Sequence, residues 1–287
     1  MPQRYDLHTH STASDGALTP AQLVAHAAAK GVEVLSLTDH DTLGGLDEAQ
    51  TTAEAFDLTL LPGVEISVTW GGRTIHVIGL GVDPGNGTLS HGLARLSDYR
   101  RGRAEEIGRR LAGIGIEGAF EGAKDLSNGR LIGRTHFARF LVRQGQASSV
   151  REVFKHFLVR GKPGYVAGDW ASLEEAVGWI FGAGGRAVIA HPARYRFSRT
   201  KILRLIGQFK ALGGVGIEVV SGSHNRDEHL DFARYAQENS LLASVGSDFH
   251  GPENPWVDLG RLASLPAGCT PIWLGWEGQA WPRVAWA

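Results

Sequence analysis

The chain has 287 residues, of which 43% are hydrophobic and 21% are charged, and its formal net charge is -1; this composition excludes an intrinsically disordered protein. No run of about 18 apolar residues is present and a polar segment follows Met1, so we expect neither a membrane span nor a secretory signal peptide. Cys269 is the single cysteine, which excludes an internal disulfide framework and favours a cytoplasmic location.

Seven short β-rich runs predict the strands of the fold. They are Tyr5–His8, Val32–Thr38, Leu58–Val64, Ile75–Leu80, Arg186–Ala190, Val215–Val220 and Leu241–Val245. Helical patterns lie between most of these runs, and capping sequences at Thr19–Gln22 and Ser172–Glu175 mark the starts of two helices. This alternation predicts an α/β protein with a parallel sheet or barrel.

Residues 88–164 interrupt the alternation, because this stretch shows helical patterns at Leu89–Leu111, Arg134–Gln144 and Val150–Leu158 but no convincing strand. From Arg95 to Arg160 there are twelve Arg and two Lys against seven acidic residues, a net charge of +7, so the rest of the chain carries -8. We therefore expect residues 1–87 and 165–287 to form the barrel and residues 88–164 to form an inserted, basic, all-helical lid domain. The asymmetry favours an anionic ligand at the insertion, although solvated helix faces would give the same charge pattern.

Nine histidines and carboxylates accompany the predicted strands, and nearly every one lies at or just beyond the carboxyl end of a strand. They are His8, His10, Asp15, His40, Glu65, His76, His191, Asp248 and His250. Because the carboxyl ends of strands converge on one face of a β/α barrel, we expect these side chains to lie together. A buried cluster of imidazoles and carboxylates is hard to maintain without cations, and nine ligands exceed the needs of one tetrahedral ion. The sequence therefore predicts two or three divalent cations, with manganese, iron and zinc all suited to these ligands.

The motifs H-T-H-S-T-x-S-D-G, T-D-H-D, G-V-E-I-S, A-H-P and G-S-D-F-H-G resemble those of the polymerase-and-histidinol-phosphatase (PHP) family of metal-dependent phosphoesterases. The resemblance implies a distorted seven-stranded β/α barrel, similar to a TIM barrel, with a trinuclear metal centre. By position, one metal would be held by His8, His10, Glu65 and Asp248, and a second by Glu65, His76 and His191. The third would be held by Asp15, His40 and His250.

The insertion also resembles the subgroup that contains 3′,5′-nucleotide bisphosphate phosphatases and short-oligonucleotide 5′→3′ exonucleases. We therefore expect hydrolysis of the 3′-phosphate of a nucleoside 3′,5′-bisphosphate by a metal-activated hydroxide, with Mn²⁺ as the expected metal and Fe²⁺ or Zn²⁺ as alternatives. Arg130, Arg134, His136 and Arg194 are expected to bind a second phosphate or the nucleotide backbone. His224 is a candidate proton donor to the leaving ribose oxygen, and Asp248 is assigned a catalytic role in addition to its role as a ligand.

Four other functions stay open at this point. An exonuclease acting on short RNA or DNA would share the same site, whereas tight binding of long duplexes is disfavoured by the near-neutral charge. A phosphatase for small monophosphates such as histidinol phosphate would not need the basic insertion. A metal-dependent C–N hydrolase is disfavoured by the Asp-x-His ending and by the lack of a strand lysine, and a non-catalytic module by the full ligand set. No obligate protein partner is expected.

Overall fold

The computed structural model describes residues 4–127, 130–253 and 256–276. Seven strands form one sheet in chain order: β1 (Tyr5–Thr9), β2 (Val34–Leu37), β3 (Thr59–Trp70), β4 (Arg73–Leu80), β5 (Arg186–Ile189), β6 (Gly216–Ser221) and β7 (Leu242–Gly246). A bridge between Thr9 and Phe249 brings the two ends of the sheet together. The result is a nearly closed barrel, which confirms the predicted fold class and all seven predicted strands.

Strand β4 departs from the parallel arrangement that the alternation predicts. It pairs antiparallel with both β3 and β5, whereas all other neighbours pair parallel. The cause is a two-residue turn at Gly71 and Gly72, both with positive φ (53° and 71°), which is the backbone that a tight hairpin requires. Because β4 runs backwards, its residue His76 pairs with Ser67 of β3 and lies at the end of the barrel where the parallel strands finish.

Nine helices occur in the described part of the chain. They are α1 (Pro20–Ala29), α2 (Leu46–Ala55), α3 (Gly87–Ala112), α4 (Ala119–Leu126), α5 (Arg134–Arg143), α6 (Val150–Val153), α7 (Leu173–Gly182), α8 (Arg199–Ala211) and α9 (Arg226–Glu238). A π-helical turn, Phe154–Leu158, continues α6. Between β4 and β5 the described residues contain helices and no strand. Within the same ranges no helix has the combination of length and hydropathy that crossing a bilayer requires.

Helix α4 is absent from the sequence prediction for a physical reason. It has only eight residues, and its N-cap residue is Gly118, whose φ of 68° is left-handed and which has no side chain to cap the helix. The usual signal for a helix start is a capping Ser, Thr, Asp or Asn, and this helix has none. Packing against α5 and the second half of α3 therefore determines it.

Helix α3 links the barrel to the helices that follow it. Its first half packs on the barrel core through Leu89, Leu93 and Leu96, whereas Ile107 and Leu111 of its second half belong to a separate hydrophobic cluster of the helical segment. The predicted boundary between residues 87 and 88 coincides with the start of α3. Because half of this helix packs with the barrel, the division into two domains and the role of residues 88–164 as a lid stay predictions; residues 277–287 of the predicted barrel segment lie outside the described residues.

Candidate metal centre

The nine candidate ligands converge at one end of the barrel. Their nitrogen and oxygen atoms form four overlapping groups in which all atoms lie within 4.8 Å of one another. The groups are His8, Glu65 and His191; His40, Glu65 and His76; His8, His10 and Asp248; and His10, Asp15, His40 and His250. Residues separated by more than 200 positions in the chain are thus placed in one cluster by the closing of the barrel.

Glu65 lies at the centre of this cluster and is fully buried. Its Oε1 is 2.9 Å from His76 Nδ1, 3.0 Å from His191 Nε2 and 3.4 Å from His8 Nε2. Its Oε2 is 2.8 Å from His40 Nδ1 and 3.4 Å from His10 Nε2. One carboxylate therefore faces five imidazoles, with its two oxygens directed at different groups, which is the geometry expected of a carboxylate that bridges cations.

Two further carboxylates complete the cluster on either side of His10. Asp248 Oδ1 lies 3.5 Å from His8 Nε2 and 3.3 Å from His10 Nε2. Asp15 Oδ1 lies 3.3 Å from His250 Nε2 and 3.9 Å from His40 Nε2. The three ligand sets implied by the family resemblance are thus each found together. The distances also place His40 against both Glu65 and Asp15, so it adjoins two of the sets; the division of ligands among individual ions stays a prediction.

Buried polar atoms without hydrogen-bond partners test whether the site fits cations. Asp15 Oδ1, His40 Nδ1 and Glu65 Oε2 are buried and make no hydrogen bond in the described structure. His40 Nδ1 and Glu65 Oε2 are only 2.8 Å apart, yet they are not aligned as donor and acceptor. An unpaired buried polar atom costs about 1–3 kcal/mol, so three at one place indicate lone pairs that a bound cation would satisfy. Imidazole and carboxylate ligands suit divalent zinc, manganese or iron.

The protonation states of the cluster are strongly shifted from their ordinary values. Burial raises the pKa of Glu65, but the neighbouring His76, His40 and His8 outweigh it and hold the pKa well below its usual range. Burial lowers the pKa of His10 to about 3 and that of His76 to about 4. Burial also lowers the pKa of His250, but Asp15 and Asp248 outweigh it and raise the value to about 9. At neutral pH, Glu65 is therefore ionised, and His10 and His76 present neutral nitrogens.

Glu218 on β6 is a supporting residue that sequence reasoning missed. It is fully buried, its Oε1 accepts a hydrogen bond from His8 Nδ1 at 2.8 Å, and its Oε2 accepts one from the backbone N–H of His191. These contacts fix the ring of one candidate ligand and the backbone of another. The available signal was a single acidic residue within the apolar strand Gly216–Ser221, because a carboxylate is a common hydrogen-bond partner of metal-binding histidines.

Asp39 and helix α5 hold the loop that carries Asp15. Asp39 accepts hydrogen bonds from the backbone N–H of Ser11 at 2.8 Å and from the hydroxyls of Ser11 at 2.6 Å and Ser14 at 2.5 Å. From the helical segment, the hydroxyl of Thr135 donates to Asp15 Oδ2 at 2.7 Å, and Arg139 donates to the Asp15 carbonyl at 3.0 Å. Residues of α5 therefore contribute directly to the geometry of the metal centre.

The four predicted substrate-binding residues occupy different surroundings. Arg134, at the start of α5, has its guanidinium 5.5 Å from the Phe154 ring centre, and no ion pair is found for it among the described residues. Burial first, and then the charge of Arg100, lower the pKa of Arg134. Arg194 is half-exposed and forms an ion pair with Asp248. Arg194 therefore contacts a candidate ligand directly, whereas Arg134 is within the range of the charge of Asp15.

His136 and Arg130 make their hydrogen bonds with residues outside the ligand cluster. His136 is 2% exposed, and its Nδ1 accepts the backbone N–H of Gly133 at 3.0 Å, so this ring caps α5. Arg130 is exposed and lies 3.4 Å from the hydroxyl of Thr12, and it lines a cavity that contains none of the nine candidate ligands. The assignment of His136 and Arg130 as substrate-binding residues stays a prediction.

His224, the candidate proton donor, lies beneath the turn that carries Arg194. Its Nε2 accepts the backbone N–H of Ala193 at 3.3 Å, and its Nδ1 lies 3.3 Å from the Val219 carbonyl. The ring is 9% exposed and stacks on Phe232. With both nitrogens against backbone groups, this geometry favours a positioning role, and proton donation by His224 stays an untested prediction.

The chain is similar to known proteins over nearly its whole length. Residues 6–159 match the PHP domain. The chain is 51% identical over 275 residues to a 3′,5′-nucleoside bisphosphate phosphatase of Chromobacterium violaceum, covering 96% of both chains. It is 44% identical over 275 residues to the 5′-3′ exoribonuclease Rnm of Escherichia coli, covering 95% of this chain and 94% of that one.

Two solved structures share the fold over 96% of both chains. One, from Chromobacterium violaceum, is described as an amidohydrolase with bound sulfate and no metal, and it has a TM-score of 0.92 at 50% identity. The other, assigned as a metal-dependent phosphoesterase of Bifidobacterium adolescentis, has a TM-score of 0.81 at 28% identity.

Proposed function

The chain belongs to the PHP domain family, and from this premise we propose that it is a metal-dependent phosphoesterase that hydrolyses the 3′-phosphate of a nucleoside 3′,5′-bisphosphate. The observation that carries the proposal is Glu65, a buried carboxylate surrounded by five imidazoles. The name of the Chromobacterium violaceum phosphatase, 51% identical over 275 residues, supports the substrate class.

Divalent cations, for which we propose Mn²⁺, would be held by the nine clustered ligands, with Glu65 at their centre. When bound, they supply an activated water at neutral pH and compensate the charge that develops on the phosphoryl oxygens. The chain itself contributes a buried, pre-shaped set of ligands, in which Glu218 orients His8 and His191 and Asp39 holds the loop that carries Asp15. Such fixed positions reduce the reorganisation that the reaction needs.

Arg194 and Arg134 are proposed to bind the substrate phosphates. Arg194 contacts Asp248, and Asp248 presents its other oxygen to His8 and His10. This places a guanidinium beside the ligand cluster, where its planar donors suit a phosphoryl group. Arg134 lies close enough to Asp15 and Arg194 for their charges to alter its pKa, so it is suited to hold the second phosphate. We propose that Asp248 also orients the attacking water through its carboxylate.

Cleavage of short oligonucleotides is the second candidate function. The Escherichia coli relative is named an exoribonuclease at 44% identity. The chemistry is closely related, because a 3′,5′-bisphosphate has the same arrangement of phosphates as the first nucleotide of a 5′-phosphorylated strand. In both reactions water attacks phosphorus and the ribose O3′ leaves with a proton, so one metal centre serves both substrates.

Two other functions fit the structure less well. A phosphatase for histidinol phosphate binds one phosphate and needs no second cationic contact. Arg134, which has no carboxylate partner among the described residues, is such a second contact and would have no use in that reaction. Amide hydrolysis at a metal pair bridged by a modified lysine would need a lysine on a strand. None of the six lysines of the chain lies in a strand, and the bridging position is held by Glu65.

A hydrolysis screen on manganese-loaded protein tests the proposal. Release of phosphate is recorded for adenosine 3′,5′-bisphosphate, adenosine 5′-monophosphate and histidinol phosphate, and release of nucleoside 5′-monophosphate is recorded for a 5′-phosphorylated pentaribonucleotide. We expect the highest kcat/KM for the bisphosphate, with adenosine 5′-monophosphate as the product. Preference for either monophosphate would contradict the proposal.

Since Cys269 is the single cysteine, we further propose a cytoplasmic location, with no obligate protein partner.

A further inference from the structure

A cavity of about 630 Å³ lies between the helical segment and the barrel. Among the described residues that line it, none is a candidate metal ligand. On the barrel side it is bordered by Ala13 and Thr42, each two positions along the chain from a candidate ligand, Asp15 and His40 respectively. The cavity is therefore separate from the metal centre but borders the two loops that carry those ligands.

The walls of the cavity carry an excess of positive charge. Arg101, Lys124 and Arg130 line it, against the single carboxylate of Glu105. Arg100 also lines it, but its charge is compensated by a buried ion pair with Asp41. The remaining three cations are therefore the ones available to an anionic ligand.

These cations are only weakly engaged within the protein. Arg101 lies 3.7 Å from Asp98, and Lys124 lies 3.9 Å from Glu121; both pairs are exposed, and exposed pairs contribute little energy. Within the described ranges Arg130 has no carboxylate at ion-pair distance, its contact being the hydroxyl of Thr12 at 3.4 Å. An anion entering the cavity would therefore displace few stabilising contacts.

The lining of the cavity also includes the apolar residues Phe120, Leu131 and Ile132, all of them partly exposed. Cationic groups together with an aromatic ring are the combination that binds single-stranded nucleic acid, because the cations contact phosphates and the ring stacks on a base. The volume of about 630 Å³ lies within the range typical of small-ligand pockets and gives room for about two nucleotides.

We propose that this cavity binds the nucleotides that follow the scissile phosphate of a short single-stranded oligonucleotide. The inference rests on the proposed function and extends it. A 3′,5′-bisphosphate ends at the phosphate that is hydrolysed, whereas an oligonucleotide continues beyond it with one negative charge per nucleotide. The cavity therefore raises affinity for oligonucleotides and leaves the bisphosphate unaffected.

The test is a double variant, Arg101→Ala with Lys124→Ala, which removes two cations from the rim. Each phosphate contact on a single strand adds about 0.7 to the slope of log affinity against log salt concentration. Near physiological salt this corresponds to about fourfold in affinity per contact. We expect KM for a 5′-phosphorylated pentaribonucleotide to rise about tenfold, with KM and kcat for adenosine 3′,5′-bisphosphate unchanged. The matched control, Arg143→Ala with Lys155→Ala, removes the same charge from exposed positions of the helical segment outside the cavity and should change neither KM.

Binding of a fluorescent, phosphorothioate-linked pentanucleotide, measured by anisotropy, separates failure of this inference from failure of the proposed function. If the wild-type enzyme hydrolyses neither substrate, the proposed function fails, yet a Kd about tenfold weaker in the cavity variant still supports binding in the cavity. An unchanged KM and Kd for the pentanucleotide would overturn the inference. An equal rise in KM for the pentanucleotide and for the bisphosphate would also overturn the inference, since that result places the effect at the metal centre.

Discussion

Replacing Glu218 by Gln tests whether the residues behind the ligands determine the metal affinity. In the native protein the two carboxylate oxygens of Glu218 accept one hydrogen bond each, from His8 Nδ1 and from the backbone N–H of His191. A glutamine has one acceptor and one amide donor at these positions. Whichever way it is oriented, one donor therefore faces another donor inside a fully buried site.

The expected relief is a change in the His8 tautomer. If the NH₂ group of the introduced glutamine faces His8 Nδ1, the ring proton moves to Nε2, which points at Glu65 and Asp248 at 3.4 and 3.5 Å. That proton then covers the lone pair that a cation needs. Loss of such an orienting partner typically lowers metal affinity 10–100-fold, or about 1.4–2.7 kcal/mol. Because the proton lands on the coordinating nitrogen, we expect the upper end of this range.

Competition with a fluorescent chelator measures the Mn²⁺ affinity of the variant, and nitrogen NMR of labelled histidine reports the tautomer of His8. Glu175→Gln is the control, because Glu175 caps α7 and pairs with Arg95 away from the cluster; its metal affinity should match the wild type. A Glu218→Gln variant that binds Mn²⁺ within about threefold of the wild type, with an unchanged His8 tautomer, would refute the reasoning, because effects that small fall below those of orienting partners.

Three further predictions concern substrate binding, proton transfer and pH. Arg134→Ala should raise KM for the bisphosphate about tenfold, as expected for a lost charge-assisted contact, while Arg143→Ala on the exposed end of α5 should not; equal values for the two variants would remove Arg134 from the substrate site. His224→Ala should lower kcat several-fold at constant metal content and leave the shape of the pH–rate profile unchanged, since both its nitrogens contact backbone; loss of the alkaline limb would instead identify it as the proton donor. His250, with its pKa raised to about 9, must lose a proton to bind a cation, so its protonation stabilises the metal-depleted protein below about pH 6.5 and this contribution is lost as pH rises through 9. The increase in Tm on adding Mn²⁺ should therefore be larger at pH 8.5 than at pH 6.5, and a pH-independent increase would contradict this.

The strands and ligands were predictable because their signals are local. Each predicted strand is a short apolar run, and eight of the nine candidate ligands lie at or just beyond the end of one of these runs. The direction of β4 depends on Gly71 and Gly72, a local signal that the regular alternation obscured. Helix α4 carries no cap, so nothing in its own eight residues marks its start.

The parts of the site that escaped prediction depend on contacts between distant residues. Glu218 contacts His8 across 210 positions of the chain, and its role follows from the closing of the barrel, which brings β6 and β1 together, rather than from any motif. The basic segment likewise gives no local means of telling its arginines apart. Arg100 is bound to Asp41 and Ser67 in the interior, whereas Arg134 has no such partner among the described residues, and only tertiary packing makes that difference.

The central claim is that cations held around Glu65 drive hydrolysis of the 3′-phosphate. Its most direct test is titration of metal-depleted protein with Mn²⁺ while phosphate release from adenosine 3′,5′-bisphosphate is recorded and the nucleotide product is identified. We predict no release without metal, a rise that saturates at two or three equivalents per chain, and adenosine 5′-monophosphate as the product. Release from fully depleted protein, or a product that retains its 3′-phosphate, would contradict the claim.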